Sequence, residues 1–488
     1  MHEAILFDDH PGPDLRQQVV LAANGALTRS QSPEQGSGLR AEVCDAPVGG
    51  DDAARIEVDT GTADPDQGAL RGAVDRPIRV FRKNFVTASG PPGRRSTRSS
   101  SSQETIMMPH PRTSSPARNL ARRRLGRVIA LGLALAASAA EQAAADEWPT
   151  AAPEDAGLAA DLGDRLDAVL ATPFGDGLHA VVLIRDGALV YEWYGRGVDE
   201  IYGRRKDGVV FGPQSLHDQR SITKSVVGIV YGIALGDGTV PAPEAAVLAA
   251  FPEYADLAAD PARAAITLDD VLAMTTGAEW DEDLPYNDPK NSEIAMNRAP
   301  DSVRFALERP LVATPGAAWT YNGGTTTIAA ALIARGNGGD LADYVRARLF
   351  EPLGIDRFEW ISDYYGQPHA ASGLRLRPRD VARIGQLVVD RGAWRGRQIV
   401  PASWIEQATS RQAEAQFGCG YGYQWWLCPL GSGLRLIEAA GWGGQELLIL
   451  PDERIVLVVN AGLYGDREAY QRAFKLLEET ILPAIEQP

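Results

Sequence analysis

Apolar residues recur at helical spacing from Leu158 to Leu170, then give way to two β-type runs, Ala180-Val181-Val182-Leu183-Ile184 and Leu189-Val190-Tyr191-Glu192-Trp193-Tyr194. The turn Arg185-Asp186-Gly187 separates them, so the pattern predicts a helix followed by a hairpin. A longer apolar run through Val226, Val227, Ile229, Val230 and Ile233 follows Arg220-Ser221-Ile222-Thr223-Lys224-Ser225 and predicts a buried helix over 221–235. Further helices are predicted at 268–274, between Thr267 and Gly277, and at about 325–335, 341–349 and 378–391. Near the other end, 434–438, 446–450 and 454–460 read as strands, and 468–482 as a closing helix. Strands at both ends with helical, loop-rich sequence between them predict an α/β (α+β) fold: an antiparallel sheet built from both chain ends, flanked by helices, with an inserted, mostly helical lobe.

The first third of the chain has a different character. Residues 1–106 show no long apolar periodicity, and Pro91-Pro92-Gly93-Arg94-Arg95-Ser96 runs into the serine tract at 99–102. They read as disordered, weakly structured or a spurious upstream extension of the reading frame. Residues 107–145 have the layout of a signal peptide: Met107 and Met108, six arginines from Arg112 to Arg127, the uncharged stretch Val128–Ala140, and Ala143-Ala144-Ala145 before Asp146. The apolar core is shorter than the roughly 20 residues a bilayer needs. Export is therefore expected, to the periplasm or beyond, with 146–488 as the mature domain and no stable membrane span after cleavage.

The formal net charge of −16 over 488 residues argues against nucleic-acid binding, and no P-loop, dinucleotide or zinc-ribbon pattern opposes that view. No metal or cofactor is expected. The mature segment holds two cysteines, Cys419 and Cys428, which can bridge in an oxidising compartment and would be two thiols in a reducing one.

Chemistry concentrates at Ser221 and Lys224. At helical spacing a hydroxyl and an amine three residues apart share one face, so the lysine can act as base for a serine nucleophile. Of the five lysines, only Lys224 has a serine three places before it. Burial with nearby positive charge is expected to lower its pKa toward the neutral amine. Tyr321, in the loop Trp319-Thr320-Tyr321-Asn322-Gly323-Gly324, is a candidate proton relay. The stretch Gly441-Trp442-Gly443-Gly444-Gln445 precedes a strand, where glycines permit close backbone approach and an edge amide can join the Ser221 amide as an oxyanion hole. Asp218 and Gln219 read as residues that orient the turn. His179, His217 and His369 read as structural, since no G-x-S-x-G elbow or H-E-x-x-H helix accompanies them. Asp281, Glu282 and Asp283 read as a solvated acidic loop.

Together, Ser221-Ile222-Thr223-Lys224, Tyr321-Asn322-Gly323 and Trp442-Gly443-Gly444 make the segment Trp148–Ile485 resemble the serine β-lactamase-related family. That family includes class C β-lactamases, D-alanyl-D-alanine peptidases, family VIII esterases and 6-aminohexanoate-dimer hydrolases. Leu353-Gly354-Ile355, Gly373-Leu374-Arg375 and Tyr423-Gln424-Trp425-Trp426 support the resemblance. It implies a β-lactamase/transpeptidase-like fold, acylation of Ser221, proton transfer through Lys224 and Tyr321, and hydrolysis of the acyl-enzyme by water. Asn322, Gly323, Trp442, Gly443, Gly444 and Gln445 are then expected to line the substrate site. Two departures bear on substrate: the asparagine stands one place earlier than in class C Tyr-x-Asn, and the third motif has no lysine. They point to a small-molecule ester or amide as substrate. The alternatives are a D-alanyl-D-alanine carboxypeptidase or β-lactamase, and a catalytically silent envelope binding protein on the same scaffold.

Overall fold

The computed structural model describes residues 148–486, other than 364 and 467, together with four short strands nearer the amino terminus. The chain divides into two units, Met1–Arg112 and Thr113–Pro488. In the first, Gln17–Ala22 pairs antiparallel with Leu27–Gln31 and parallel with Arg40–Cys44, which in turn pairs with Arg55–Glu57. These strands are three to six residues long, too short for an apolar period to declare itself in the sequence. The rest of 1–106 and the whole signal-peptide segment 107–145 lie outside the described residues.

The second unit is organised by an eight-stranded antiparallel sheet. Its strands are β1 (Leu178–Arg185), β2 (Ala188–Tyr194), β3 (Ala413–Glu414), β4 (Gly420–Tyr421), β5 (Trp426–Leu427), β6 (Ile437–Gly441), β7 (Gln445–Leu450) and β8 (Ile455–Ala461), in the spatial order β3-β4-β5-β6-β7-β8-β1-β2. Both chain ends contribute, and they meet where β8 pairs with β1, Ile455 opposite Arg185 and Val459 opposite Val181. The β1–β2 hairpin turns at Asp186 and Gly187, with φ of 50° and 76°. A two-residue turn with both φ positive matches the twist of the strands it joins.

Strands β1, β7 and β8 are buried almost throughout because helices cover both faces of the sheet. Side chains alternate between two cores. Val182, Ile184, Leu447, Ile449, Val456 and Val458 face the larger core. Val181, Leu183, Leu448, Leu450, Leu457 and Val459 face the smaller, which is closed by α1 (Leu162–Leu170) and the helical segment 471–484. On the larger side lie α2 (Ile222–Gly236), α3 (Leu268–Leu272), α4 (Ser292–Asn297), α5 (Gly323–Gly336) and α6 (Pro378–Val389). Of these, α6 packs on β1, β7 and β8, while α2 runs between the sheet and α5.

Two features differ from the sequence expectation, and the bridge the sequence allowed is present. The edge strands β3, β4 and β5 are two residues each and show no alternation. A further hairpin, Arg196–Ile201 with Arg204–Val210, carries mostly exposed polar and charged residues, so it lacks the apolar signal of a strand. Cys419 and Cys428, flanking the β4–β5 turn, are joined by a disulfide.

The smaller core contains two acids. Glu438 on β6 and Glu446 on β7 point to the same face as Leu448, and Oε2 of each finds no hydrogen-bond partner among the described residues. Burial pushes Glu438 up to about 7, and burial with the neighbouring Glu438 raises Glu446 well above the ordinary range. A raised folded-state pKa means that the native state holds protons the unfolded chain releases above its ordinary carboxyl pKa. Stability is then full below that value and falls as pH rises through about 7. Urea unfolding at pH 5 and 8.5 should show a loss on the order of 3 kcal/mol from Glu438, with Glu446 adding to it, reduced in the Glu438→Gln/Glu446→Gln variant. An equal loss in that variant would assign the effect elsewhere.

Candidate functional site

The site forms where a short strand turns into a buried helix. His217 and Asp218 pair with Leu376 and Arg375, and Gln219 Nε2 donates to the carbonyls of His217 and Leu376. Arg220 then takes a φ of 48°, a left-handed conformation that costs a non-glycine residue on the order of 1–3 kcal/mol. Its side chain is held from several sides: the guanidinium lies 5.1 Å from the Tyr202 ring centroid and 5.2 Å from that of Tyr464, and NH2 reaches Glu200 at 3.2 Å and Asp218 at 3.4 Å. The bend delivers Ser221 to the start of α2. His179 and His217 are buried beside Phe211, their rings 5.5 Å apart.

One turn later, Lys224 Nζ donates to Ser221 Oγ at 3.1 Å and to the Ala371 carbonyl at 3.2 Å. It stands 4.8 Å from the centroid of the Tyr321 ring. Burial raises the Tyr321 phenol, and Lys224 together with a hydrogen bond to Ser221 pulls it back only in part. The three residues singled out by the sequence are thus brought together. Two further ties keep them so. Thr223 Oγ1 accepts from Leu374 N, and Ser225 Oγ donates to the Gln424 carbonyl, whose side chain bridges Thr326 on α5 and the Leu272 carbonyl on α3.

The charge state of Lys224 departs from the expectation. Its neighbours are acids: Glu282 Oε2 at 3.8 Å and Glu293 Oε2 at 3.7 Å. Burial disfavours the ammonium, but Tyr321, Glu282 and Glu293 outweigh it and hold the lysine above its usual value. A positive neighbour would have produced the neutral amine; two carboxyls produce the ammonium.

Neither glutamate was marked by the sequence, and Glu282 corrects the reading of 281–283 as a solvated loop. Asp281 and Asp283 are exposed, whereas Glu282 turns inward with a 4 % exposed side chain. Its Oε1 accepts from Trp280 Nε1 and from Gly323 N, both at 2.6 Å. A Cβ at position 323 would lie 3.0 Å from that oxygen and from Ala371, so glycine lets the carboxylate reach the lysine. Glu293, near the start of α4, accepts from Ser372 Oγ, which also bonds to Tyr202 Oη. The Trp280–Glu282 spacing and a glutamate on a short helix with Ile294 and Met296 were the only available signals, and both are weak.

The expected lining residues divide. Asn322 is buried, with Oδ1 capping α5 through Gly324 N and Thr325 N. Gln445 is buried, bonded to the Ala461 carbonyl and Asn460 Nδ2. Asn322 Oδ1 and the Gln445 amide each satisfy backbone or amide groups that burial would otherwise leave unpaired. Gly443 and Gly444 make the β6–β7 turn, with φ of 91° and 85°. A Cβ on Gly441 would lie 2.4 Å from the Gln219 carbonyl, so this turn abuts the bend that carries Ser221. Trp442, 36 % exposed, stands 5.9 Å from Tyr286, whose Oη reaches Glu282 Oε2 at 3.5 Å. Tyr321 stacks on Trp426 at 5.7 Å, extending the aromatic wall.

Residues 176–478 match the family model described as Beta-lactamase. A 6-aminohexanoate-dimer hydrolase from Paenarthrobacter ureafaciens is 25 % identical over 301 residues, covering 57 % of this chain and 71 % of that protein. Among solved structures, one from Bacillus anthracis described provisionally as a 6-aminohexanoate-dimer hydrolase superposes with a TM-score of 0.54 at 21 % identity, covering 68 % of this chain and 86 % of that one. EstCE1, described as a hydrolase with promiscuous acyltransferase activity, gives 0.52 at 13 % identity, covering 64 % and 98 %. The similarity extends across the sheet, the helices on both faces and the inserted lobe: a serine-hydrolase-type fold.

Proposed function

The chain belongs to the β-lactamase family, and from that we propose that it is a serine hydrolase of small esters or amides, working through an acyl-enzyme on Ser221. The observation that carries the reading is the 3.1 Å contact between Lys224 Nζ and Ser221 Oγ, with Tyr321 against the same ammonium group. Ser221 Oγ attacks the acyl carbon. The carbonyl oxygen takes the negative charge beside the Ser221 amide and the β6–β7 turn. The serine proton passes through Lys224 and Tyr321 to the leaving alcohol or amine, and water then releases the acid.

Charge supports an ester or amide over an anionic lactam. The two buried glutamates stand beside the nucleophile, Arg220 is engaged with Glu200 and Asp218, and Trp442 occupies the third motif. A substrate carboxylate would find Lys224 and Arg220 already paired with acids, and an aromatic face at the third motif. The relative's name, 6-aminohexanoate-dimer hydrolase, supports an amide within this range. The Cys419–Cys428 bridge and the leader-like composition of 107–145 support a periplasmic or secreted location.

Intact-protein mass spectrometry after exposure to a p-nitrophenyl acyl ester, a penicillin and a fluorophosphonate tests the proposal. A Ser221-dependent mass gain with rapid ester turnover is expected. A long-lived penicillin adduct with slow ester turnover would favour the peptidase or β-lactamase reading, and no adduct in folded protein would favour a silent binding protein. Tyr321→Phe should lower ester turnover roughly 10²-fold. Unchanged steady-state rates would leave Tyr321 as a wall residue.

A further inference from the structure

A base that rests as an ammonium ion cannot accept the serine proton. Lys224 must first lose one, and the groups around it restrict where that proton can go. Glu282 and Glu293 are its two acidic neighbours, on a loop and on α4, with side chains 4 % and 3 % exposed. Each has one oxygen fixed by donors: Glu282 by Trp280 and Gly323, Glu293 by Ser372. In each it is the other oxygen, Oε2, that faces Lys224, and Glu293 Oε2 has no hydrogen-bond partner among the described residues.

We propose that Glu282 and Glu293 act as a paired proton store for Lys224, taking the ammonium proton as the site engages substrate and returning it when the acyl-enzyme has formed. The proposal rests on Ser221 being the nucleophile. The balance is closed. The three groups share two labile protons: in the resting site Lys224 is charged, one glutamate is a carboxylate and the other a carboxylic acid. Transfer from Nζ to the carboxylate gives a neutral amine and two carboxylic acids, so the buried set is neutral before and after and no uncompensated charge is created. Nζ then takes the proton of Ser221 as Oγ bonds to the acyl carbon. The leaving group departs with that proton, delivered through Tyr321. The Nζ to Oε2 separations exceed hydrogen-bond length, so the transfer needs a side-chain shift on the order of 1 Å.

The other ionisable groups around this set are Tyr202, Tyr286, Tyr321, Tyr421, His369 and, beyond Tyr286 and Tyr202, Arg220. Burial lowers His369, and burial raises the four phenols, which favours the neutral form of all five. The lysine and the two acids therefore carry the titration. Burial, together with the charge of Glu293 and against the pull of Lys224, pushes Glu282 up to about 7. Burial works the same way on Glu293, but Lys224 and the hydrogen bond from Ser372 hold it below the ordinary range. One acid thus keeps a proton at neutral pH while the other is the carboxylate that faces the ammonium, so moving the proton between them is uphill in the resting site and waits on substrate.

Above the Glu282 pKa both acids are ionised, the set carries a net negative charge, and the ammonium is locked in place. Ser221 acylation should accordingly fall on the alkaline side of about 7. The test is the pH dependence of single-turnover acylation by a p-nitrophenyl ester, and of fluorophosphonate labelling, in the wild type, Glu282→Gln and Glu293→Gln. Glutamine keeps the carbonyl oxygen that accepts from Gly323 or Ser372. Expected are a roughly tenfold slower acylation at pH 7, loss of the alkaline limb in Glu282→Gln, and KM within about twofold. An infrared carbonyl band of a protonated carboxyl, present in the wild type near neutral pH and absent in Glu282→Gln, reads the store directly without turnover. If Glu282→Gln does not fold, Glu293→Gln and the wild-type infrared titration decide. Adduct formation with superimposable pH profiles in the variants, or no protonated-carboxyl band in the wild type, overturns the proton store alone. No Ser221 adduct in the wild type at any pH overturns the hydrolase reading and this proposal with it.

Discussion

Replacing Ser221 by alanine should reduce turnover of an activated ester by about 10³-fold or more while leaving unfolding free energy within about 1 kcal/mol of the wild type. The asymmetry comes from how the serine is held. It lies at the end of a bend fixed by other residues: Arg220 by Tyr202, Tyr464, Glu200 and Asp218, Gln219 by two backbone carbonyls. Ser221 supplies an oxygen to the chemistry and little to the packing. Initial rates and urea denaturation of the same preparation separate the two effects. An alanine variant that keeps turning over ester would reject Ser221 as nucleophile.

Lys224→Ala should abolish acylation to a similar degree and, unlike the serine variant, weaken the fold. Removing the cation leaves Glu282 and Glu293 facing each other in a buried site, and breaking such a pairing costs on the order of 3–5 kcal/mol when a charge is stranded. Carboxyls can escape that cost by taking up protons, which raises their folded-state pKa values. Their contribution is then retained below the unfolded carboxyl pKa and lost as pH rises. The loss of stability should be small near pH 5 and approach the full figure by pH 8. A pH-independent difference in urea midpoint between Lys224→Ala and the wild type would reject this account of the buried charges, and a normal acylation burst would reject the lysine as base.

The sequence revealed what long apolar runs can reveal. Helix α2, the β1–β2 hairpin and strands β7 and β8 were legible because each buries enough consecutive positions for a period to show, whereas β6 begins three residues later than the expected 434–438. The two-residue strands β3 to β5 and the charged hairpin at 196–210 carry no such period. At the site, Ser221 and Lys224 were readable because one helical turn joins them, and Tyr321 because its loop is bounded by glycines. Asn322 and Gln445 were expected at the substrate, and the structure engages Asn322 Oδ1 in the α5 cap and the Gln445 amide with β8. The reading of the lysine failed for a related reason: its charge is set by Glu282 and Glu293, distant in sequence and brought near only by the fold. An acidic loop looks solvated until the tryptophan and glycine that bury one of its members are seen in place.

The seam between β8 and β1 has a consequence for synthesis. Strand β1 is made more than two hundred residues before its partner, Ile455–Ala461. Helix α2, almost wholly apolar, emerges more than two hundred residues before that strand, so at ordinary elongation rates it waits on the order of ten seconds or longer for the completed sheet. Until then its greasy surface is available to chaperones and to other nascent chains, and a ribosome that stops short of β8 releases a product with a high risk of aggregation. The architecture that pairs β8 with β1 thus makes the synthesis of β8 a quality-control checkpoint for the segments made between them.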